Sequence, residues 1–191
     1  MDLNAIRERL RHHQPAVAAH NGYSRAAVAM ILRERERTCD VLLIERSERA
    51  NDPWSGHMAL PGGREDANDG ELFHTAARET HEEVGIDLRT TADLLGHLDD
   101  VQAIARDRPL GMVIRPYVYA LTRDVVPQPD HREVKSTVWL PLPFLTTPEA
   151  KGTYMRRLNG NEQDFPAFVY QGYRVWGLTY RMLTGFLELL R

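Results

Sequence analysis

One stretch limits what this chain can become more than any other: residues 60–86 read LPGGREDANDGELFHTAARETHEEVGI. From Leu72 to Val84 there is no glycine or proline, good helix formers dominate, and Gly85 stands where a helix would stop. On such a helix each residue turns by about 100°, so Glu82 falls about 60° to one side of Glu79 and Glu83 about 40° to the other. At a rise of about 1.5 Å per residue, the three carboxylates lie within about 6 Å along the axis. Like charges that near raise one another's pKa unless something positive intervenes. A hard divalent cation fits that need: Mg²⁺ takes carboxylate oxygens, keeps several waters and bridges to phosphates. Arg78, four residues before Glu82, is spaced to hold one carboxylate in a fixed rotamer. Gly62 and Gly63 let backbone approach backbone, so their loop can turn carbonyls or amides toward a metal or a phosphate. Clustered glutamates alone commonly make a solvated helix face. Here eight positions are specified together: Pro-Gly-Gly, fourteen residues, Arg-Glu, two residues, Glu-Glu, one residue, Gly. At roughly 6% per residue type, chance gives about 10⁻¹⁰ per starting point.

Around this segment the hydrophobic pattern predicts a single α+β domain over 1–191. Leu3, Ile6 and Leu10 predict a short leading helix over 2–12. The apolar runs Ala26–Leu32 and Val41–Ile44 predict two buried strands joined by a turn. Residues 51–56 are rich in turn formers and predict a loop. Further strands are expected around Leu94–Leu98, Met112–Leu121 and Val134–Leu140, with Pro141 and Pro143 at the exit of the last. A strand or hairpin near Ala167–Val175 leads to a final helix, Leu178–Leu190, with one apolar face. Strands dominate the middle with three helices interspersed, an α+β rather than a regularly alternating pattern.

Bulk properties exclude several classes. The net charge of -3 offers nothing global to nucleic acid or an anionic membrane, so no nucleic-acid or membrane partner is expected. Handling a polyphosphate then requires local positive charge or a metal. Cys39 is the only cysteine, which rules out a disulfide framework and a cysteine-rich zinc site. A charged N-terminus without an apolar core, and no stretch of about 18 apolar residues, predict a soluble, cytoplasmic protein.

With these residues in view, the segment resembles the Nudix box: Gly, five residues, Glu, seven residues, Arg-Glu-apolar-x-Glu-Glu-x-Gly-apolar. Arg78, Glu79, Glu82, Glu83, Gly85 and Ile86 match its second half, with Thr80 where an apolar residue is usual. In the first half one residue is extra: the Glu position falls on Asp69 counted from Gly63, on Gly70 counted back from Arg78, and Glu71 misses it by one. The resemblance implies a Nudix fold, an α/β/α sandwich around a mixed β-sheet, and metal-dependent attack of water on a diphosphate. It implies Mg²⁺, with Mn²⁺ as an alternative ion, held by the Gly62 carbonyl with Glu82 and Glu83. Glu79 then holds a metal-bound water or acts as base, and which glutamate takes the proton stays open. The number of metal ions stays open as well. Glu133 is a candidate additional acid, against a plainer reading as a surface turn residue.

The implied partner is a small nucleotide-like diphosphate. Leu42–Ser47, the run Gly56-x-x-x-Leu60-Pro61-Gly62-Gly63, the extra residue with Asp69, and Val175-Trp176-Gly177-Leu178-Thr179 look similar to the coenzyme A pyrophosphatase branch. An Arg usual in that branch falls on Asp52 here, so Arg46 or Arg49 is the candidate replacement. Products would be 3′,5′-ADP and a phosphopantetheine. The alternatives are ADP-ribose, a dinucleotide or another nucleoside diphosphate derivative, then an isoprenoid diphosphate isomerase on the same fold, then a noncatalytic nucleotide-binding module. His57 and Gly63 are candidate substrate contacts. Trp54 is read either as a base-stacking ring or as a loop anchor, and Trp139 and Trp176 as core. Arg106 and Arg108 are read as solvated loop residues and His74 and His81 as solvated helix residues. A homodimer, with a second subunit adding residues to the substrate site, stands open.

Overall fold

The computed structural model describes residues 2–19, 22–49, 54–105, 108–158 and 161–191, with the side chains of 104–110 and 158 left aside. In chain order the elements are α1 (Leu3–His12), β1 (Ser24–Arg35), β2 (Thr38–Arg46), β3 (Met58–Ala59), β4 (Gly62–Arg64), α2 (Leu72–Val84), α3 (Leu88–Thr91) and β5 (Ala92–His97). There follow β6 (Val101–Ala105), β7 (Arg108–Leu121), β8 (Val134–Pro141), β9 (Lys151–Leu158), β10 (Asn161–Tyr170), β11 (Tyr173–Trp176) and α4 (Gly177–Leu189).

Alternation along β1 sets the layers. Ala27, Ala29 and Ile31 point to one face, Ala26, Met30 and Leu32 to the other, and all are buried. A strand buried on both faces needs cover on both. On the first face Leu72, Ala76, Ala77 and Val84 of α2 supply it. On the second, Ile6 and Leu10 of α1 join Met182, Leu183, Phe186 and Leu187 of α4. The outcome is an α/β/α sandwich.

The sheet between the layers is mixed. β1 and β2 form an antiparallel hairpin whose turn residues, Glu36 and Arg37, both take positive φ. β1 also runs parallel to β7, with Ala27 opposite Arg115, and β7 carries β5 and β6 antiparallel. β2 pairs with β8 and β3. β4 lies antiparallel against β1, Gly62 opposite Val28 and Gly63 opposite Ala27, which docks the start of the box onto the sheet. A separate antiparallel sheet, β9-β10-β11, feeds into α4.

Most predicted elements appear near the expected bounds, and Gly85 closes α2 in the left-handed conformation at φ 69°. Three features differ. The strand or hairpin expected near Ala167–Val175 is part of a three-stranded sheet that also contains β9, for which the sequence KGTYMRRL has no apolar alternation to offer. β6 is too short to show a period. α3 is one turn long, capped by Asp87 accepting from the Arg89 backbone N–H, and adds a fourth helix to the three expected. Trp176 is buried as expected, whereas Trp139 is only partly covered, with the Arg33 guanidinium 4.2 Å from its ring centre. Among the described residues no helix is long and apolar enough to cross a membrane.

Candidate active site

The site is built where β4 meets α2. Gly62 has φ 150°, and a Cβ there would collide with the Val28 backbone, so only glycine lets β4 lie this close to β1. That approach aims the Gly62 N–H at α2, where it donates to Glu83 Oε2 at 2.8 Å. Gly63 has its own constraint: the space a Cβ would need is filled by the carboxyl group of Glu79.

The helix spreads its three glutamates from interior to solvent, since adjacent residues differ by about 100° and only one of Glu82 and Glu83 can face the sheet. Glu83 is 2% exposed. Burial pushes its carboxyl up to about 8, against the lowering effects of the Gly62 N–H and of Arg46, whose Nη1 stands 4.0 Å away. Glu79 is also raised, mainly by burial, with Glu82 and Glu133 adding repulsion while Arg78 opposes. Glu82 lies on the exposed flank. Among the described residues no three acidic or imidazole side chains converge on one point, and Arg78 reaches in beside Glu79 and Glu82. The donor set nonetheless suits a hard cation. Two desolvated carboxylates, a third on the flank and the charge of Glu133 make an acidic cluster that Arg78, Arg46 and Arg49 offset only in part, since the Glu79 and Glu83 carboxyls remain raised, and a divalent ion would relieve it.

Arg78 is the organiser. Its Nη1 donates to Glu79 Oε1 at 2.8 Å and stands 3.3 Å from Glu82 Oε2, and its Nη2 donates to the Arg64 carbonyl at 3.1 Å. Its other partner resolves the altered spacing in the first half of the box. Asp69 accepts from Arg78 Nε at 2.8 Å and Nη2 at 3.0 Å, and from Thr75 Oγ1 at 2.8 Å. Hydrogen bonds from Arg78 hold the Asp69 carboxyl well below the usual carboxylate range. The extra residue is absorbed by turns in which the backbone N–H groups of Asp66 and Asn68 bond to the side chains of Asp69 and Asp66. Glu71 is exposed and caps nothing with its side chain. Thr80, buried in an apolar slot of the box, satisfies its hydroxyl on the Ala76 carbonyl at 2.7 Å.

These bonds make Asp69 a positioning residue, and outer partners of this kind are typically worth about 10- to 100-fold in activity or metal affinity. Asp69→Asn is expected to lower kcat about tenfold and to lower the thermal midpoint as well, because the ionised Asp69 carboxyl held by Arg78 contributes stability. Steady-state kinetics beside a melting curve would check it, and unchanged kcat and Mg²⁺ dependence would remove Asp69 from this role.

In front of the glycine bend lies a cleft of about 320 Å³. Gly62, Gly63, Arg46 and His57 all line it. Arg49 does not: its guanidinium donates to the Arg132 carbonyl at 2.8 Å and pairs with Glu133 at 3.3 Å, tying two loops together. Glu133 is thus an exposed loop residue that still reaches Glu79 and Glu83 electrostatically. Trp54 lines the cleft and packs on the main core, which fits a loop anchor and leaves the base-stacking reading open. His74 and His81 are exposed. Asp52 and Arg106 lie outside the described residues, as does the Arg108 side chain. Two cleft cations escaped the sequence reading. Arg64 follows the glycines directly, so its position was signal enough; Arg156 sits on β9, and no local pattern points to it.

Comparison with known proteins agrees with this architecture. The NUDIX domain family model matches residues 22–158. The chain belongs to the Nudix family. It is 43% identical over 114 residues to an uncharacterised protein of Schizosaccharomyces pombe, covering 58% of this chain and 34% of that one. It is 29% identical over 159 residues to the human mitochondrial coenzyme A diphosphatase NUDT8, covering 76% of this chain and 60% of that one. The chain therefore spans between about a third and three-fifths of the length of these two relatives. A MutT/nudix family protein from Enterococcus faecalis shares the fold at a TM-score of 0.55 and 17% identity, covering 100% of this chain and 70% of that one.

Proposed function

We propose that this chain is a Mg²⁺-dependent pyrophosphohydrolase that cleaves the diphosphate of coenzyme A or an acyl-coenzyme A to 3′,5′-ADP and a phosphopantetheine. The observation that carries the reading is the placement of Glu79 and Glu83, desolvated and raised in pKa, directly behind the two glycines that line the cleft. Raised carboxylates in a cleft are a frequent mark of a functional site. Glu79, Glu82, Glu83 and the Gly62 carbonyl would hold the metal. When bound, the ion lowers the pKa of water, orients the phosphates and offsets charge on the leaving oxygen.

The chain's own residues do the remainder. Arg78 keeps Glu79 turned toward Gly63, and the Gly62 N–H keeps Glu83 in one rotamer. Among the described residues lining the cleft, the permanently charged side chains are Arg46, Arg64 and Arg156, which gives a chain of net charge -3 a local basin for a polyanion. Support for coenzyme A over other nucleoside diphosphate derivatives comes from relatives named coenzyme A diphosphatases and from the motifs around 42–63 and 175–179. Cys39, a single buried thiol, agrees with a reducing compartment such as the cytoplasm.

The test is a Mg²⁺-dependent panel of coenzyme A, ADP-ribose, NADH and dinucleoside polyphosphates with products identified by mass. Coenzyme A is expected to give the highest kcat/KM and to yield 3′,5′-ADP. A large margin for ADP-ribose would replace the coenzyme A reading, and no turnover of any would replace the hydrolase reading with that of a nucleotide-binding module.

A further inference from the structure

Arg156 differs from several partly buried arginines that are held by carboxylates. Arg25 pairs with Glu65, Arg33 with Asp40, Arg78 with Asp69 and Arg115 with Asp100. Among the described residues Arg156 has no acidic partner; its contact is with a ring, its guanidinium lying 5.3 Å from the centre of Trp176. Strand alternation explains the placement. Along β9, Tyr154 and Arg156 share one face while Met155, on the other, is largely exposed. Tyr154 stacks on Trp176 at 4.3 Å with 10° between the rings, and His57 meets Trp176 edge-on at 4.8 Å. Trp176 is thereby held in place, and an arginine resting on a fixed ring keeps its fork free to bind in one orientation. Trp176 also stands at the N-cap of α4 without a side-chain capping bond, and Gly177, Leu178 and Thr179 of the first turn line the same cleft.

This step rests on the hydrolase reading, which puts the diphosphate at the glycine bend, beside Arg64 and near Arg46. Arg156 belongs to a different sheet and to the aromatic wall of the cleft. We infer that Arg156, backed by Trp176, binds a phosphomonoester carried on the sugar of the substrate's nucleotide, apart from the diphosphate that is cleaved. A guanidinium meets a phosphate through two parallel N–H···O bonds, and the dianion of a monoester matches it better than a hydroxyl does. Arg156 is therefore the residue that separates nucleotides with a sugar phosphate from those without.

The experiment compares wild type, Arg156→Ala and Arg156→Gln on coenzyme A and on 3′-dephospho-coenzyme A. For both variants kcat/KM on coenzyme A is expected to fall about 30-fold, mostly through KM, while the dephospho substrate changes by less than about threefold. An equal loss on both substrates, or none on coenzyme A, overturns the assignment. Calorimetric binding of 3′,5′-ADP and 5′-AMP without metal separates this inference from the reading beneath it. Wild type should bind 3′,5′-ADP at least about tenfold more tightly, and the variants should lose that preference. If wild type shows the preference but hydrolyses neither substrate, the hydrolase reading fails and the Arg156 subsite stands. If wild type hydrolyses coenzyme A and the variants keep the preference, the reverse holds. Wild type binding both nucleotides equally, or neither, also overturns the subsite.

Discussion

Replacing Glu83 by Gln is expected to lower turnover at least about a hundredfold while leaving the fold intact. Glu83 is buried and accepts the Gly62 N–H, and the Gln amide keeps an acceptor oxygen and nearly the same volume for that bond. What disappears is the negative charge, the property a cation needs. Removing a carboxylate that burial disfavours should leave the metal-free protein at least as stable as before. Activity and stability then move in opposite directions, which a merely structural Glu83 would not produce. Glu82→Gln should cost a comparable factor with almost no change in stability, since its side chain is exposed. Kinetics on the preferred substrate and melting in chelator decide the matter: full activity in both variants with unaltered metal dependence would sink the assignment, and loss of both quantities in Glu83→Gln would make that residue structural.

The metal-free protein should also lose stability as pH rises from about 5 to 8, the opposite of the usual behaviour of a salt-bridged carboxylate. The sign follows from proton counting. Glu83 titrates near 8 when folded and near 4.5 when unfolded, so between those values the folded state keeps a proton that the unfolded state has released. Stability is fully present below the lower value and declines toward the upper, by an amount on the order of a few kcal/mol for a group this buried. The depressed carboxyls of Asp69 and Asp100 lose their stabilising effect only below the ordinary carboxylate range, outside this window. Saturating Mg²⁺ should flatten the decline, because a cation binds the ionised form that high pH favours. Melting curves at pH 5, 6.5 and 8, with chelator and with Mg²⁺, test the expectation on wild type and Glu83→Gln. A wild-type profile in chelator as flat as that of the variant would overturn it.

Legibility in the sequence tracked how local each cause was. The helix from Leu72 to Val84 was readable because its period, its lack of breakers and its Gly85 stop are all written within it. The β1–β2 hairpin was readable from two dense apolar runs. β9 was not, since it is held by pairing with β10 and its own residues carry no burial pattern. Arg156 went unread for the same reason: its place in the cleft comes from a strand of a different sheet. Arg49 is a candidate in the sequence as a replacement for the arginine that the branch has where Asp52 stands, yet the fold turns it to Arg132 and Glu133.

Asp69 shows the boundary most clearly. Counting along the chain could only say that the first half of the box had one residue too many. The folded loop brings a different carboxylate onto Arg78 and keeps the helix unchanged. By itself, the sequence determined the family's helix, its three glutamates and its glycine bend, because spacing of under thirty residues sets them. The tertiary structure alone decided which glutamate is buried, what holds Arg78 and which arginines share the cleft. Burial, pKa and cation placement depend on neighbours distant along the chain, and only packing brings those neighbours together.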